Sequence, residues 1–436
     1  MALSTDPYKG TRDFYPKDMQ FRNWMFGKLA NVVQSFGYQE YGGPMLEPYE
    51  LYAAKSGEEL VNNQLYTLID KSERKLALRP EMTPTLARLV AGKINELPKP
   101  IRFFSFPNLW RYERPQRGRL REHWQLNVDV LGGDPLFAET ELLTLAVELI
   151  RAFGGQDKMQ VKVNHRKLMD VFFSERLGLS SAQTHQVVKA IDAKDKVEPE
   201  KFKSWLFEAG VKEEQFLILT QFFSSSLETL KETMPCGGVE HLTELFAMLK
   251  NAGIQSEIVF DPTIMRGLDY YTGTVFEIYD VSPTNHRAMF GGGRYDNLMG
   301  IFGKEALSGV GFGMGDVSLQ NFLETHHLVP TLPSEIDVMV TLPHLDFLPQ
   351  SEALTRELRN HGLRVMTPLG VGSFGAQLKL ANKHEAKFAI LFGGSEMKEE
   401  KVILKKLSTG VQTALPLKEC ADFILNDLKL LKDSKK

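Results

Sequence analysis

The chain has 436 residues, 43% of them hydrophobic and 25% charged, with a formal net charge of -3; this is the composition of an ordinary globular protein of roughly two or three domains. Without bulk positive charge, any contact with nucleic acid has to rest on local basic patches. Two cysteines, Cys236 and Cys420, exclude a disulfide framework and a cysteine-rich zinc site, and no apolar run reaches the ~18 residues of a membrane span, so a cytoplasmic protein with no membrane attachment is expected.

Phe21, Trp24, Met25, Leu29, Val32, Val33 and Phe36 recur at helical spacing and predict a helix that Gly37 ends. Thr83 and Pro84 read as an N-cap and first helical residue, opening a helix to Val90. Residues 101–113 and 123–131 read as two strands around a polar loop, 114–122. From 166 to 252 the pattern is mostly helical and sits between β-rich stretches, as an insertion would; strands resume at 256–260 and 274–280. Pro330 and Pro333 bracket a linker. Beyond it, strands at 336–341, 363–367, 388–392 and 401–407 are interleaved with helices at 348–360 and 376–384, an order that predicts a small α/β domain with a mostly parallel sheet. The charged tail after Leu431 is expected to be disordered.

Residues 123–131 alternate strictly, so Gln125, Asn127 and Asp129 share one face, with Gln125 and Asp129 ~13 Å apart along the strand. By the same logic Arg111 and Glu113 share a face of the preceding strand, and Arg114, Arg117, Arg119 and Arg121 crowd the loop between. Two readings fit: an antiparallel pair with one solvated face, or a cleft lined by an arginine, a glutamine and an aspartate beneath a phosphate-binding arginine loop. The run Met265-Arg-Gly-Leu-Asp-Tyr-Tyr-Thr-Gly-Thr-Val-Phe-Glu277 reads, on spacing alone, as buried tyrosines and turn glycines. Neither glycine run, 291–297 or 309–318, ends in the Gly-Lys-Ser/Thr of a P-loop. Gly370-Val-Gly-Ser-Phe-Gly375 matches a dinucleotide fingerprint in form, but it occupies the second βα turn of its unit, not the first. Lys379, Lys383 and Lys387, four apart, form a basic stripe that is either a solvated helix face or a phosphate contact.

Taken together these segments resemble the histidine-specific class II aminoacyl-tRNA synthetases. Residues 103–132 resemble motif 2, 265–277 the signature peculiar to histidyl-tRNA synthetases, 309–318 motif 3, 38–52 motif 1, and 336–415 the anticodon-binding domain of class IIa enzymes. The resemblance implies an α+β fold, with an antiparallel-sheet catalytic domain over 1–165 and 253–328, a helical insertion over 166–252, a C-terminal α/β anticodon-binding domain over 334–430, and a homodimer formed through motif 1. It implies ATP-dependent ligation of L-histidine to tRNA(His) through a histidyl-adenylate, with Mg2+ accompanying ATP and no protein-held metal site. Arg266 and Arg111 would be catalytic. Glu81, Thr83, Gln125, Asp129, Tyr270 and Tyr271, with both arginines, would hold histidine. Arg111 and Glu113 would face ATP, and Gln116 and Arg121 would touch the tRNA. The chemistry agrees: a neutral histidine ring offers one N–H donor and one acceptor, which an aspartate and a tyrosine hydroxyl can match.

One position departs from the pattern. Where motif 3 carries an arginine for the ATP γ-phosphate, this chain has Ser318, and Arg294 or another arginine is expected to supply the charge. Ser318 is the best support for a rival reading, a non-catalytic paralogue such as the regulatory subunit of ATP phosphoribosyltransferase; the C-terminal domain speaks against it. A second rival, a simple tRNA- or dinucleotide-binding module, would bind NAD in preference to ATP.

Overall fold

The computed structural model describes residues 3–54, 60–194, 197–265, 271–285, 287–393 and 399–433. The chain divides into two units, Met1–Pro330 and Thr331–Lys436. The first runs α1 (Pro16–Ser35), β1 (Gln39–Glu40), β2 (Leu46–Pro48), α2 (Tyr49–Ala53), β3 (Thr67–Ile69), β4 (Lys75–Leu78), α3 (Thr83–Gly92), β5 (Ile101–Ser105), β6 (Asn108–Trp110), β7 (Glu122–Leu131), α4 (Pro135–Arg151) and β8 (Met159–His165). A helical run follows: α5 (Arg166–Val171), α6 (Ser181–Asp192), α7 (Pro199–Glu208), α8 (Glu213–Phe223), α9 (Leu227–Thr233) and α10 (Gly237–Asn251). The chain then returns to strands β9 (Ile258–Phe260), β10 (Thr274–Asp280), β11 (Ala288–Arg294) and β12 (Gly309–Gly315), and closes with α11 (Asp316–Thr325).

Among the described residues, nine strands form one sheet in the order β1-β5-β7-β12-β11-β10-β8-β9, with β6 also on β7. Its pairs are antiparallel except at the two edges, β1 with β5 and β8 with β9. A smaller sheet, β2-β4-β3, stands apart from it. Alternation decides which face of the large sheet is apolar. Leu126, Val128 and Val130 of β7 join Phe312, Phe276 and Val161 in a layer closed by Met25, Leu29 and Val33 of α1 and Leu142 and Leu149 of α4. Each such side chain contributes about 1.5–3 kcal/mol on burial. The same apolar cluster continues into the helical run through Leu168, Phe172, Val187, Leu206, Leu219 and Leu242, so those helices share the sheet's core and have no separate one.

The structure alters several expectations. Residues 101–113 are not one strand: Pro107 has no N–H to give a ladder, and the break at Phe106–Pro107 separates β5 from β6, both still paired with β7. Arg111 lies beyond β6 and is held by its N–H on the Arg121 carbonyl, 2.9 Å away. Met82, not Thr83, is the N-cap of α3, and Thr83 is its first helical residue.

The second unit contains β13 (Val338–Val340), α12 (Leu348–Asn360), β14 (Val365–Met366), α13 (Phe374–Lys383), β15 (Phe388–Leu391), β16 (Lys401–Lys406), β17 (Gln412–Pro416) and α14 (Cys420–Asp433). Its sheet order is β14-β13-β15-β16-β17, parallel about β13 but antiparallel from β15 onward, so the expected mostly parallel sheet is a mixed one. The turn at Gly410, with φ near 75°, folds β16 back on β17, a hairpin that the alternating strand–helix order did not anticipate. α13 ends at Lys383, so Lys387 is not on its face; Lys387 pairs with Asp337 at 2.7 Å instead. α14 continues through Asp433, past the Leu431 boundary expected for a disordered tail, and residues 434–436 lie outside the described residues.

Candidate active site

The opposite face of the large sheet floors a cleft of about 2090 Å3. In the β7–β12 register Asp129 faces Gly311, Asn127 faces Gly313 and Gln125 faces Gly315; β11 adds Gly291 opposite Gly313 and Gly293 opposite Gly311. These glycines are empty space that other side chains use. A Cβ on Gly311 would stand 2.1 Å from Asp129 Oδ1, one on Gly313 would stand 1.9 Å from Gln125 Nε2, and one on Gly293 would stand 2.8 Å from the Tyr271 ring. Glycine costs a strand interior roughly 0.5–1 kcal/mol relative to alanine, and here that cost opens a floor on which polar groups and a ligand can lie.

Asp129 is 2% exposed. The Tyr295 hydroxyl donates to its Oδ1, whereas Oδ2 is shielded from solvent and accepts no hydrogen bond among the described residues. An unsatisfied buried acceptor on a residue that lines a cleft is a candidate partner for a ligand N–H. Gln125 donates to Asn127 Oδ1 at 3.0 Å, which fixes the amide beside it. On the wall, Arg111 is anchored through Nε on the Pro80 carbonyl at 2.8 Å, close to Glu81 and Thr83 in sequence and in the cleft lining. Glu113 forms an ion pair with Arg119, yet neither of its buried oxygens accepts a hydrogen bond. At the head of α11, Asp316 binds Arg12 at 2.6 Å and accepts from the Trp124 N–H at 3.1 Å, tying the N-terminal segment, β7 and the helix together.

Of the residues expected to serve the site, Glu81, Thr83, Arg111, Glu113, Gln116, Gln125, Asp129 and Tyr271 all line this one cleft. Arg266 and Tyr270 lie outside the described residues. Arg121 is not brought to the cleft: it donates to Tyr8 Oη at 2.6 Å and stacks on Tyr112, 4.2 Å from the ring centre, bracing the loop from behind. Arg294 cannot supply the charge missing at Ser318. Its β11 position pairs with Val310 on the apolar face, and its guanidinium is spent on Glu139, Asp296 and the Pro135 carbonyl. Sequence reasoning missed Tyr295, although it stands in the Gly291-Gly-Gly-Arg-Tyr-Asp run; an aromatic hydroxyl directly after a glycine strand was the available signal. It also missed Arg287, which lines the cleft and donates to Gln116 Oε1 at 3.2 Å.

The family model described as histidyl-tRNA synthetase matches residues 10–316, and the model described as anticodon binding domain matches 337–427. The chain is 43% identical over 430 residues to a histidine–tRNA ligase of Leptospira biflexa, covering 98% of each, and 37% identical to one of Haloarcula marismortui, covering 94% of this chain and 96% of the relative. A crystal structure of histidyl-tRNA synthetase from Nostoc sp. PCC 7120 superposes with a TM-score of 0.82 at 26% identity, covering 98% of this chain and 100% of that one.

Burial pushes the Asp129 carboxyl up to about 7, against an opposing pull from the Tyr295 hydroxyl. The unfolded chain gives up this proton near ~3.9, so the folded state holds it longer and stability falls as pH rises from about 4 to about 7. Asp129→Asn removes that loss. Relative to the parent, the variant is expected to gain stability across this window, at up to ~1.4 kcal/mol per pH unit. Urea unfolding of both proteins at about pH 4.5 and 7.5 measures it; a difference that does not change between the two contradicts a buried, proton-retaining carboxyl.

Proposed function

The chain belongs to the histidyl-tRNA synthetase family, and from that premise we propose that it joins L-histidine to tRNA(His) through a histidyl-adenylate, in the cleft over β7, β11 and β12. The observation that carries the reading is the buried Asp129 with one free acceptor oxygen on a glycine floor. In this reading a neutral histidine side chain donates one ring N–H to Oδ2, and Tyr271, whose ring lies against Gly293 in the cleft lining, would serve the other nitrogen. A pocket built on such bonds rejects analogues lacking them by factors near 10⁴–10⁵. Glu81, Thr83 and Gln125 hold the amino-acid end. Residues 1–165 and 253–328 are read as the catalytic domain, 166–252 as its insertion and 334–430 as the anticodon-binding domain.

The first step needs no general base, because the substrate carboxylate is already ionised near pH 7. Its oxygen attacks the α-phosphorus of ATP, and the bond to the bridging oxygen breaks with release of pyrophosphate. Arg111, fixed on the Pro80 carbonyl, offsets repulsion between the two anions and stabilises charge on the transferring group; Arg266 is assigned the same task by the family pattern. Mg2+ accompanying ATP would offset part of the triphosphate charge. Among the described residues no cluster could hold a metal alone, so the ion would be carried chiefly by the phosphates. In the second step the terminal ribose hydroxyl of the tRNA attacks the adenylate carbonyl and AMP leaves, with Gln116 on the loop side toward the acceptor end and Arg121 bracing that loop from behind. A cytoplasmic setting suits the free thiols of Cys236 and Cys420.

Purified protein is expected to catalyse histidine-dependent exchange of pyrophosphate into ATP. Asp129→Ala is expected to lower kcat/KM for histidine roughly 10- to 100-fold with KM for ATP little changed, since leaving a buried polar group without its partner costs about 1–3 kcal/mol. Absence of exchange in the parent protein removes the proposed reaction.

The homodimer is proposed at the motif 1 side. Met45 and Leu46 are each 42% exposed and Ile69 of β3 is 72% exposed, apolar groups of this region that a second copy would cover. Light scattering is expected to give twice the chain mass of 49.3 kDa, and Ile69→Lys to shift it toward one; a parent protein of single mass contradicts the dimer.

A further inference from the structure

ATP brings a triphosphate of about four negative charges into the cleft, and Arg111 answers only the reacting end of it. The wall toward α11 ends in neutral groups, Ser318 and Asn321. Beside Arg111, the described arginines lining the cleft are Arg117, Arg119 and Arg287. Arg119 is committed to Glu113, and Arg117 sits in the turn between Gln116 and Arg119, which bridge each other. Arg287 is exposed, forms no ion pair among the described residues, and is held only by the neutral amide oxygen of Gln116.

Arg287 immediately precedes β11, whose Phe290 pairs with Met314 near the end of β12, and α11, which carries Ser318, begins directly after β12. The approach is pinned by Asn285, whose Nδ2 donates to Thr325 Oγ1 on α11 at 3.3 Å and to Asp280 Oδ2 at 2.6 Å. From the other side the arginine loop closes on α11, where a Cβ on Gly118 would stand 3.7 Å from Asn321 Nδ2. Arg287, Gln116, Ser318 and Asn321 thus line one part of the cleft, where the Arg287 guanidinium has no ion pair among the described residues and its neighbours are neutral.

We propose that this part of the cleft receives the β- and γ-phosphates of ATP, and that Arg287 supplies, from the segment that leads into β11, the cation that α11 lacks at Ser318. The proposal rests on the reaction proposed above. On binding, the guanidinium exchanges the Gln116 amide for phosphate oxygens, a stronger charge-assisted pair, and frees Gln116 toward the tRNA side. Such a fork matches phosphate geometry in a way that a lysine would match only partly.

The test compares ATP with AMP, which lacks the two outer phosphates, by calorimetric titration of the full chain, together with pyrophosphate exchange kinetics. Arg287→Ala is expected to weaken ATP binding and raise KM for ATP about 10- to 100-fold, leaving AMP affinity and KM for histidine unchanged. Arg287→Lys is expected to retain part of the ATP affinity, and Ser318→Arg added to Arg287→Ala to restore it. Because Arg287 is exposed, the variants are expected to match the parent by circular dichroism. An unchanged ratio of ATP to AMP affinity in Arg287→Ala overturns the assignment, as does an ATP-specific loss appearing in Arg117→Ala instead. A parent protein without histidine-dependent exchange whose ATP affinity still depends on Arg287 would remove the proposed reaction while keeping this site; an active parent with an indifferent Arg287→Ala would remove this site alone.

Discussion

The structure is organised around a carboxyl group that a folded protein would ordinarily avoid. Asp129 is buried on β7 in the cleft lining, with one oxygen on Tyr295 and the other accepting no hydrogen bond among the described residues. Burying such a group costs free energy unless something hydrogen-bonds it, so the arrangement makes physical sense when a ligand supplies the missing donor. Its position dictates the sequence around it. The strand beside Asp129 can carry no side chain at 311, the strand beyond that none at 293, and the tyrosine that holds Oδ1 needs Gly309 for its own ring, since a Cβ there would stand 2.5 Å from Tyr295 Cε2.

A floor so poor in side chains needs rigidity from elsewhere. The other face of the same strands supplies it through the apolar layer beneath α1 and α4. A buried polar cluster adds direction. Glu139 of α4 accepts from Arg294, Thr274 and His241, the latter two at 2.7 Å. Burial alone would raise this carboxyl, but the hydrogen bond from His241 and the charge of Arg294 override it and hold it below its usual range. Because Arg294 immediately precedes Tyr295, this cluster fixes the end of β11 and with it the hydroxyl on Asp129. The Arg12–Asp316 pair does the same for α11 and the start of β7.

Much of this was legible in the sequence where a short-range rule applied. Alternation in 123–131 put Gln125, Asn127 and Asp129 on one face, and the structure finds them lining the cleft. The 348–360 helix and the 274–280 strand were placed at their observed bounds. What failed depended on partners distant in the chain. Pro107 breaks a strand that hydrophobicity alone continues. Lys387 is claimed by Asp337 rather than by the helix stripe its spacing suggested. Arg294 looked available and is buried against Glu139, 155 residues away in the chain. Arg287 carries no motif of its own, and only the fold brings it into the cleft that Ser318 also lines.

A crystal structure with L-histidine bound tests the central claim most directly. The account expects the imidazole over the glycines of β11 and β12, with a ring N–H within ~3 Å of Asp129 Oδ2 and the Tyr295 hydroxyl still on Oδ1. Histidine bound elsewhere in the cleft, with Asp129 Oδ2 still lacking a donor, would contradict it.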